Sequence, residues 1–379
     1  MKKQILATML GATMVMGLLT GCGGSAKGDS KASNTVDSQK TVASASNTVS
    51  SASGDAASTA SAVEEYTKGD PMTIKIATVL TENSVSGRAL QKFSDDRAAK
   101  TDGRIKCDIY YNGVLADTES CFEMLQKGDI QMMTLNPVAY ETQVTELSTL
   151  DEYYMFDDLE HAHRFLEGDG GKFLNDAWNS VNLQGMAVYG LGFRELSNNK
   201  KDVKTIDDMK GMTIRGYSTI QIDAWNAIGA SPTSVDWNEL FVSMQQGLLD
   251  GQESALSTMN DFSFYEVQKH VSLTDHVFTM DYVVGSKTWL DGLNATDRKV
   301  IDETMQESYE WQKENYMAEL ENLQKTFTDE YGVTITELDD SVKAEMKEKM
   351  QPVTVELIKQ TAGEDVYNKV HGYVEEARA

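Results

Sequence analysis

Arg194, in "VYGLGFRELSN", and Arg215, in "KGMTIRGY", each follow a short apolar run in a strongly acidic chain with 59 Asp and Glu, 34 Lys and Arg, and a formal net charge of -25. A guanidinium is permanently charged, and its planar fork matches a carboxylate through two parallel hydrogen bonds. Two such groups opening onto one cleft call for an anion between them, so a small carboxylate ligand is the economical chemistry. The competing reading is that both arginines form structural ion pairs with some of the many acids. Net charge does not decide the matter, because distant charges are screened within about 8 Å at physiological salt. Geometry at contact distance decides it.

In open α/β sheets, ligands gather beyond the carboxyl ends of the strands, where backbone groups and helix N-termini converge. That rule selects Glu82 and Asn83 after "IKIATV", and Thr134 and Asn136 after "IQMM". Farther on it selects Arg215 and Tyr217 after "MTI", Asp236 and Trp237 after "SPTSV", and Glu253 and Ser254 after "LLDGQ". Arg194 stands where the chain crosses from one half to the other.

The elements that must hold these residues come from an internal repeat. "DTESCFEMLQKGDIQMMTL" from Asp117 aligns with "DWNELFVSMQQGLLDGQES" from Asp236, matching Phe122 to Phe241, Gln126 to Gln245 and Gly128 to Gly247. Each stretch has an Asp to cap a helix, apolar positions at helical spacing, a Gly suited to the left-handed position after the helix, and then a strand. Upstream, "TIKIATV", "VSGRALQKFSDDRAAK" and "RIKCDIYY" alternate strand, helix, strand, as do "MTIRGY", "IQIDAWNAIGA" and "SPTSV". The pattern predicts an α/β fold with two βαβ-type lobes and parallel sheets. Later, Ile301, Met305, Tyr309, Tyr316, Leu320, Leu323 and Phe327 recur at three- or four-residue steps or their multiples. They predict one amphipathic helix starting near Asn294, on the order of 50 Å long and packed along both lobes. A sustained heptad, as a coiled-coil dimer requires, is missing.

Catalytic and metal motifs are not apparent. No G-x-S-x-G elbow, Walker loop or H-E-x-x-H occurs, and "GDGGKF" lacks the spacing of a phosphate-binding loop. His161 and His163, two apart in "EHAHR", face different ways on a helix and are expected as surface and groove residues, with no metal and no cofactor. The acidic balance argues against nucleic acid, which wants a basic face.

The N-terminus reads as an address. Lys2 and Lys3 precede an apolar run from Ile5 to Leu19 and then "LTGC", ending at Cys22. Residues 1–21 are expected to be a signal peptide, with residues 22–70 a lipidated Cys22 and a flexible Ser-, Ala- and Thr-rich tether that cannot bury enough apolar surface to order itself. "LTGC" resembles the lipobox of bacterial lipoproteins. Cys107 and Cys121 suit either a bridge in an exported protein or two small buried thiols.

"LGFRELSN", "DDMKGMTIRGY", "AIGASPTSVDWNELFVSMQQGLLDGQES" and "FYEVQKHVSLTDH" together resemble the DctP family, the solute-binding proteins of tripartite ATP-independent periplasmic (TRAP) transporters. The likeness runs from Ile74 to the long helix and includes "YYMFDDLEHAHRFL". It implies a two-lobed periplasmic-binding-protein-like (Venus flytrap) fold, with residues 71–193 plus about 282–318 as one lobe and 194–281 plus about 319–379 as the other. It also implies capture of an organic acid and its delivery to the membrane subunits of a TRAP transporter by a monomer, lipid-anchored at the outer face of the cytoplasmic membrane or in the periplasm. Arg215 matches the family's carboxylate-clamping arginine and Arg194 its second arginine. Ser254 replaces the Asn of the family's "D-G-Q-E-N", which puts the identity of the acid in doubt. The alternatives are an exported enzyme using Glu82, Asp236 or Glu253, and a ligand sensor for a membrane receptor.

Overall fold

The structure, a computed structural model, describes residues 65–378. The expected signal peptide, Cys22 and nearly all of the expected tether lie outside the described residues. Two βαβαβ units organise the chain. The first is β1 (Met72–Ala77), the helix Val85–Lys100, β2 (Ile105–Tyr110), the helix Thr118–Lys127 and β3 (Met132–Leu135). A long strand, β4 (Leu183–Asn198), leads to the second: β5 (Thr213–Gly216), the helix Thr219–Ala227, β6 (Ser231–Ser234), the helix Trp237–Gln245 and β7 (Gly251–Ala255). In each unit the first strand sits in the middle: β1 pairs in parallel with β2 and β3, and β5 with β6 and β7.

Local chemistry sets the boundaries of these units. Asp117 and Asp236 cap their helices by accepting from Ser120 N and Asn238 N, each at 2.9 Å. Ser84 and Ser218 do the same through Gly87 N and Gln221 N. Such caps contribute about 1 kcal/mol each. Gly128 and Gly247 follow the two helices at φ 84° and 71°, the left-handed region where a side chain would be strained. The repeat read from sequence is thus a structural repeat.

β4 joins the units. Leu183–Phe193 pairs antiparallel with β9 (Phe278–Ser286), which itself pairs with β3, whereas Arg194–Asn198 pairs with β7 and β8 (His270–Leu273). β8 is completed by β10 (Thr334–Glu337). One strand therefore belongs to both sheets, and its change of partner falls between Phe193 and Arg194.

The long helix is Ala295–Asp329, capped by Asn294, and its 35 residues run about 52 Å at 1.5 Å each. Val300, Ile301 and Met305 enter a core with Ile74, Leu90 and Phe93; Leu323 and Phe327 enter another with Leu240, Met244 and Val271. Between them, Gln312 Nε2 donates to the Gly190 carbonyl of β4 at 2.8 Å. No helix among the described residues is long and apolar enough to cross a membrane.

The histidine expectation needs correction. His161 and His163 are buried, not surface residues. His161 Nε2 meets the Val374 carbonyl of the C-terminal helix at 2.9 Å, and His163 Nε2 meets Tyr316 Oη on the long helix. Cys107 and Cys121 are free thiols, unbridged.

Candidate functional site

Arg194 and Arg215 converge on one aromatic ring. The Tyr217 centroid lies 4.8 Å from Arg194 Cζ and 5.5 Å from Arg215 Cζ. Tyr217 is itself anchored: its hydroxyl donates to Asp151 Oδ1 at 2.9 Å, while Ser218 Oγ donates to Oδ2 at 2.7 Å. Asn136, Asp151, Arg194, Tyr217 and Thr279 line a common cavity.

The two arginines differ in what neutralises them. Arg194 is 7% exposed; its Nε donates to Glu253 Oε2, its Nη2 to the Glu253 carbonyl at 2.5 Å, and its Nη1 to Thr279 Oγ1 at 3.4 Å. Burial alone would lower its affinity for the proton, but Glu253 more than offsets this and holds it above the ordinary arginine value. Burial pushes the Glu253 carboxyl up, yet Arg194 and His276 prevail and keep it below the usual range. Its other contacts, His276 Nε2 at 3.1 Å and Gln221 Nε2 at 3.3 Å, complete the cage. For Arg194 the ion-pair reading holds.

Arg215 has no such partner. It is partly buried, its Nε donates to the Val235 carbonyl at 3.1 Å, and no carboxylate pairs with it among the described residues. Trp237 flanks it, ring centroid 5.4 Å from Cζ, and is held by Phe262 in an edge contact at 4.8 Å. Burial and then the Arg194 charge bring its pKa down to about 10. The fork nitrogens Nη1 and Nη2 make no hydrogen bond among the described residues.

The remaining sequence-selected residues divide. Asn136 is at the cavity, where Oδ1 caps the 3-10 turn Pro137–Tyr140 and Nδ2 lies 3.4 Å from Thr279 Oγ1. Asp236 is exposed and used as a helix cap, close enough for its charge to be felt at Arg215. Glu82 and Asn83 are exposed on the turn before Val85–Lys100, and Asn83 offers its backbone carbonyl to Arg88. Ser254 pairs with Glu195 while Glu253 pairs with Leu196, so its side chain leaves the face of β7 opposite Glu253 and Arg194, and the parallel register of Ile214 with Gly251 makes that the face Arg215 shares. Its hydroxyl is buried without a partner.

Residues 76–361 match the family described as bacterial extracellular solute-binding protein, family 7 (DctP). The chain belongs to the DctP family. It is 29% identical over 286 residues, 75% of this chain and 81% of the relative, to the C4-dicarboxylate-binding protein DctB of Bacillus subtilis. It is 30% identical over 290 residues, 76% of this chain and 85% of the relative, to a solute-binding protein of Verminephrobacter eiseniae. Among solved structures, the sugar acid binding protein DctPAm of Advenella mimigardefordensis, in complex with galactonate, superimposes with a TM-score of 0.78 at 26% identity, covering 82% of this chain and all of that one. The DctP fold of this chain is two-lobed, built of mixed α/β sheet with helices.

Sequence reasoning did not select Asp151, Thr279 or Asp281. Asp151 sits in a 3-10 turn with no pattern of its own. Asp281 did carry a signal: it is the one charge in "FTMDYVVGS", a strand buried at every position.

Proposed function

We propose that this DctP-family protein captures a small organic acid between its lobes and hands it, chemically unchanged, to the membrane subunits of a TRAP-type transporter. The observation that carries the proposal is Arg215: a partly buried guanidinium, flanked by Tyr217 and Trp237, with no carboxylate paired to it among the described residues. The relatives support it, since one is described as binding C4-dicarboxylates and a solved structure holds galactonate. Arg215 is the clamp in this reading. Arg194 is the second cation, offering Nη1 alone because its other nitrogens are committed to Glu253. Tyr217, Trp237 and Asn136 shape the pocket around the ligand. Glu82, Asn83 and Asp236 form the rim, and Ser254 adds a buried, unpartnered hydroxyl on the face of β7 that Arg215 shares.

Of the carboxyls that the sequence offered to an enzyme, none is poised as a free proton carrier facing the arginines. Glu253 has both oxygens engaged, and Glu82 and Asp236 stand exposed at loop and cap positions. Recovery of a bound acid unaltered after prolonged incubation with the protein supports capture; a product would favour catalysis.

We place the hinges at Phe193–Arg194, where β4 changes partners, and at Val277–Phe278, where β9 begins. This keeps the first lobe boundary read from sequence and moves the second a few residues earlier. A ligand held by both lobes favours the closed state by its differential affinity. Small-angle scattering at saturating ligand is expected to show a smaller radius of gyration than without it; superimposable curves would argue for a rigid pocket.

Anchoring is assigned to Cys22, with the residues before it removed as a signal peptide and the tether holding a monomeric receptor at the membrane's outer face. One acyl chain binds a membrane only reversibly, so more than one is expected. Cys22→Ala should release the protein from the membrane fraction, and unchanged fractionation would sink this assignment.

A further inference from the structure

The cleft is not uniformly basic. Thr279, which touches both Arg194 and Asn136, and Asp281 are two apart on β9, so their side chains leave the same face roughly 7 Å apart along the strand. Asp281 is 8% exposed, and its carboxyl has neither a hydrogen-bond nor an ion-pair partner among the described residues. Arg194 is the cation it senses. Next to it, Asp261 closes the helix Leu256–Asp261 and senses the charges of Glu319 and Asp281. Asp261 and Glu319 have Arg88 as their cation, with its side chain 48% exposed and 3.8 Å from Glu319. Burial raises the pKa of Asp281 to about 7, and burial with the Glu319 charge does the same for Asp261. The cleft therefore has a guanidinium end and a carboxyl end.

We infer that the ligand is a carboxylate whose far end carries hydrogen-bond donors, hydroxyls or an amino group, and that Asp281 selects for those donors against a second carboxylate. The inference rests on the reading of Arg215 as the clamp for the first carboxylate. When the lobes close, Asp281 loses what water it has, and an unpaired buried carboxyl is costly unless the ligand donates to it. A hydroxyl or ammonium donates. A second carboxylate would instead meet acidic groups, and must either bear the repulsion of like charges in a water-poor site or drive Asp281 to take up a proton, a cost the donor-bearing acid does not meet. A site built around a polar partner also rejects analogues that lack the matching group far more strongly than an apolar pocket rejects a change in size.

A matched four-carbon series tests this by calorimetry on the full chain without its signal peptide: 4-hydroxybutyrate, 4-aminobutyrate and succinate, with galactonate as a longer hydroxylated acid. The tightest of the three donor-bearing acids is expected to bind about tenfold or more better than succinate. Which arm wins, hydroxyl or amine, identifies the donor. Asp281→Asn should shrink that ratio by about tenfold, weakening the donor-bearing acid and improving succinate; Asp261→Asn should move it in the same direction by less. Ratios within one preparation cancel any loss of folded protein. Succinate binding the wild type as well as every donor-bearing acid, or a ratio indifferent to both substitutions, would overturn the inference while leaving carboxylate capture intact. If none of the four acids bound, the Arg215 reading itself would fall, and the inference with it.

Discussion

Arg215→Ala is expected to weaken binding of the cognate acid by roughly 2 to 5 kcal/mol, about one and a half to three and a half orders of magnitude in dissociation constant. The physical reason is that the closed cleft removes water from the ligand's carboxylate, and without the guanidinium nothing replaces that water. The same substitution should leave the unliganded fold nearly as stable as before. Among the described residues the Arg215 side chain makes one hydrogen bond, to the Val235 carbonyl, and its charge is disfavoured by burial and by Arg194. Arg215→Lys should recover only part of the affinity, because an ammonium restores the charge but not the planar fork. Calorimetry together with thermal unfolding of the unliganded variants separates binding from folding. A structural role for Arg215 would appear as the reverse pattern, lost stability with affinity kept in the folded fraction.

Glu253→Gln should behave in the opposite way. It removes the counter-charge of Arg194 from a site where both groups are almost wholly buried, at 7% and 2% exposure. Breaking a buried pair by neutralising one partner costs about 3 to 5 kcal/mol, because the other charge is left without compensation. The denaturant midpoint of the unliganded protein should fall accordingly. Ligand should restore part of the loss, since a carboxylate in the cleft supplies an anion near Arg194. Combining Glu253→Gln with Arg194→Met is expected to cost less than the sum of the two single changes. An unchanged midpoint for Glu253→Gln would contradict the account of Arg194 as a charge held by that one carboxylate.

The fold was legible where its determinants are local. Asp117 and Asp236 cap helices through backbone groups two or three residues away, and Gly128 and Gly247 end them through their own φ, so each unit carries its boundaries within a short stretch. The long helix was legible from its apolar spacing and from Asn294. His161 and His163 were not, because what buries them comes from far along the chain: the C-terminal helix through Val374, and the long helix through Tyr316. Helical periodicity says which residues share a face. It does not say whether a later element covers that face.

The candidate site was legible as a set of positions and less so as a set of roles. Strand ends pointed to Arg215, Tyr217, Trp237 and Asn136, and the crossing between halves to Arg194; in the structure Tyr217 lies against both arginines, Trp237 beside Arg215, and Asn136 in the cavity with Arg194 and Tyr217. Whether an arginine there meets a ligand or a neighbouring acid depends on pairings that cross the chain. Arg194 meets Glu253 because β4 and β7 lie side by side in antiparallel register, while Arg215 meets no carboxylate on β6 or β7. Ser254 shows the same limit at finer scale. A strand's faces alternate, so Glu253 takes the face of Arg194 while Ser254 takes the other, the one Arg215 shares.

The central claim, that Arg215 is the clamp for a ligand carboxylate, is tested most directly by a crystal structure of the protein with the acid that binds it in titration. The account predicts a closed cleft with two carboxylate oxygens about 2.7 to 2.9 Å from the Arg215 fork nitrogens, and Arg194 still paired with Glu253. A bound acid whose carboxylate is held elsewhere, with Arg215 touching only the Val235 carbonyl, would contradict it.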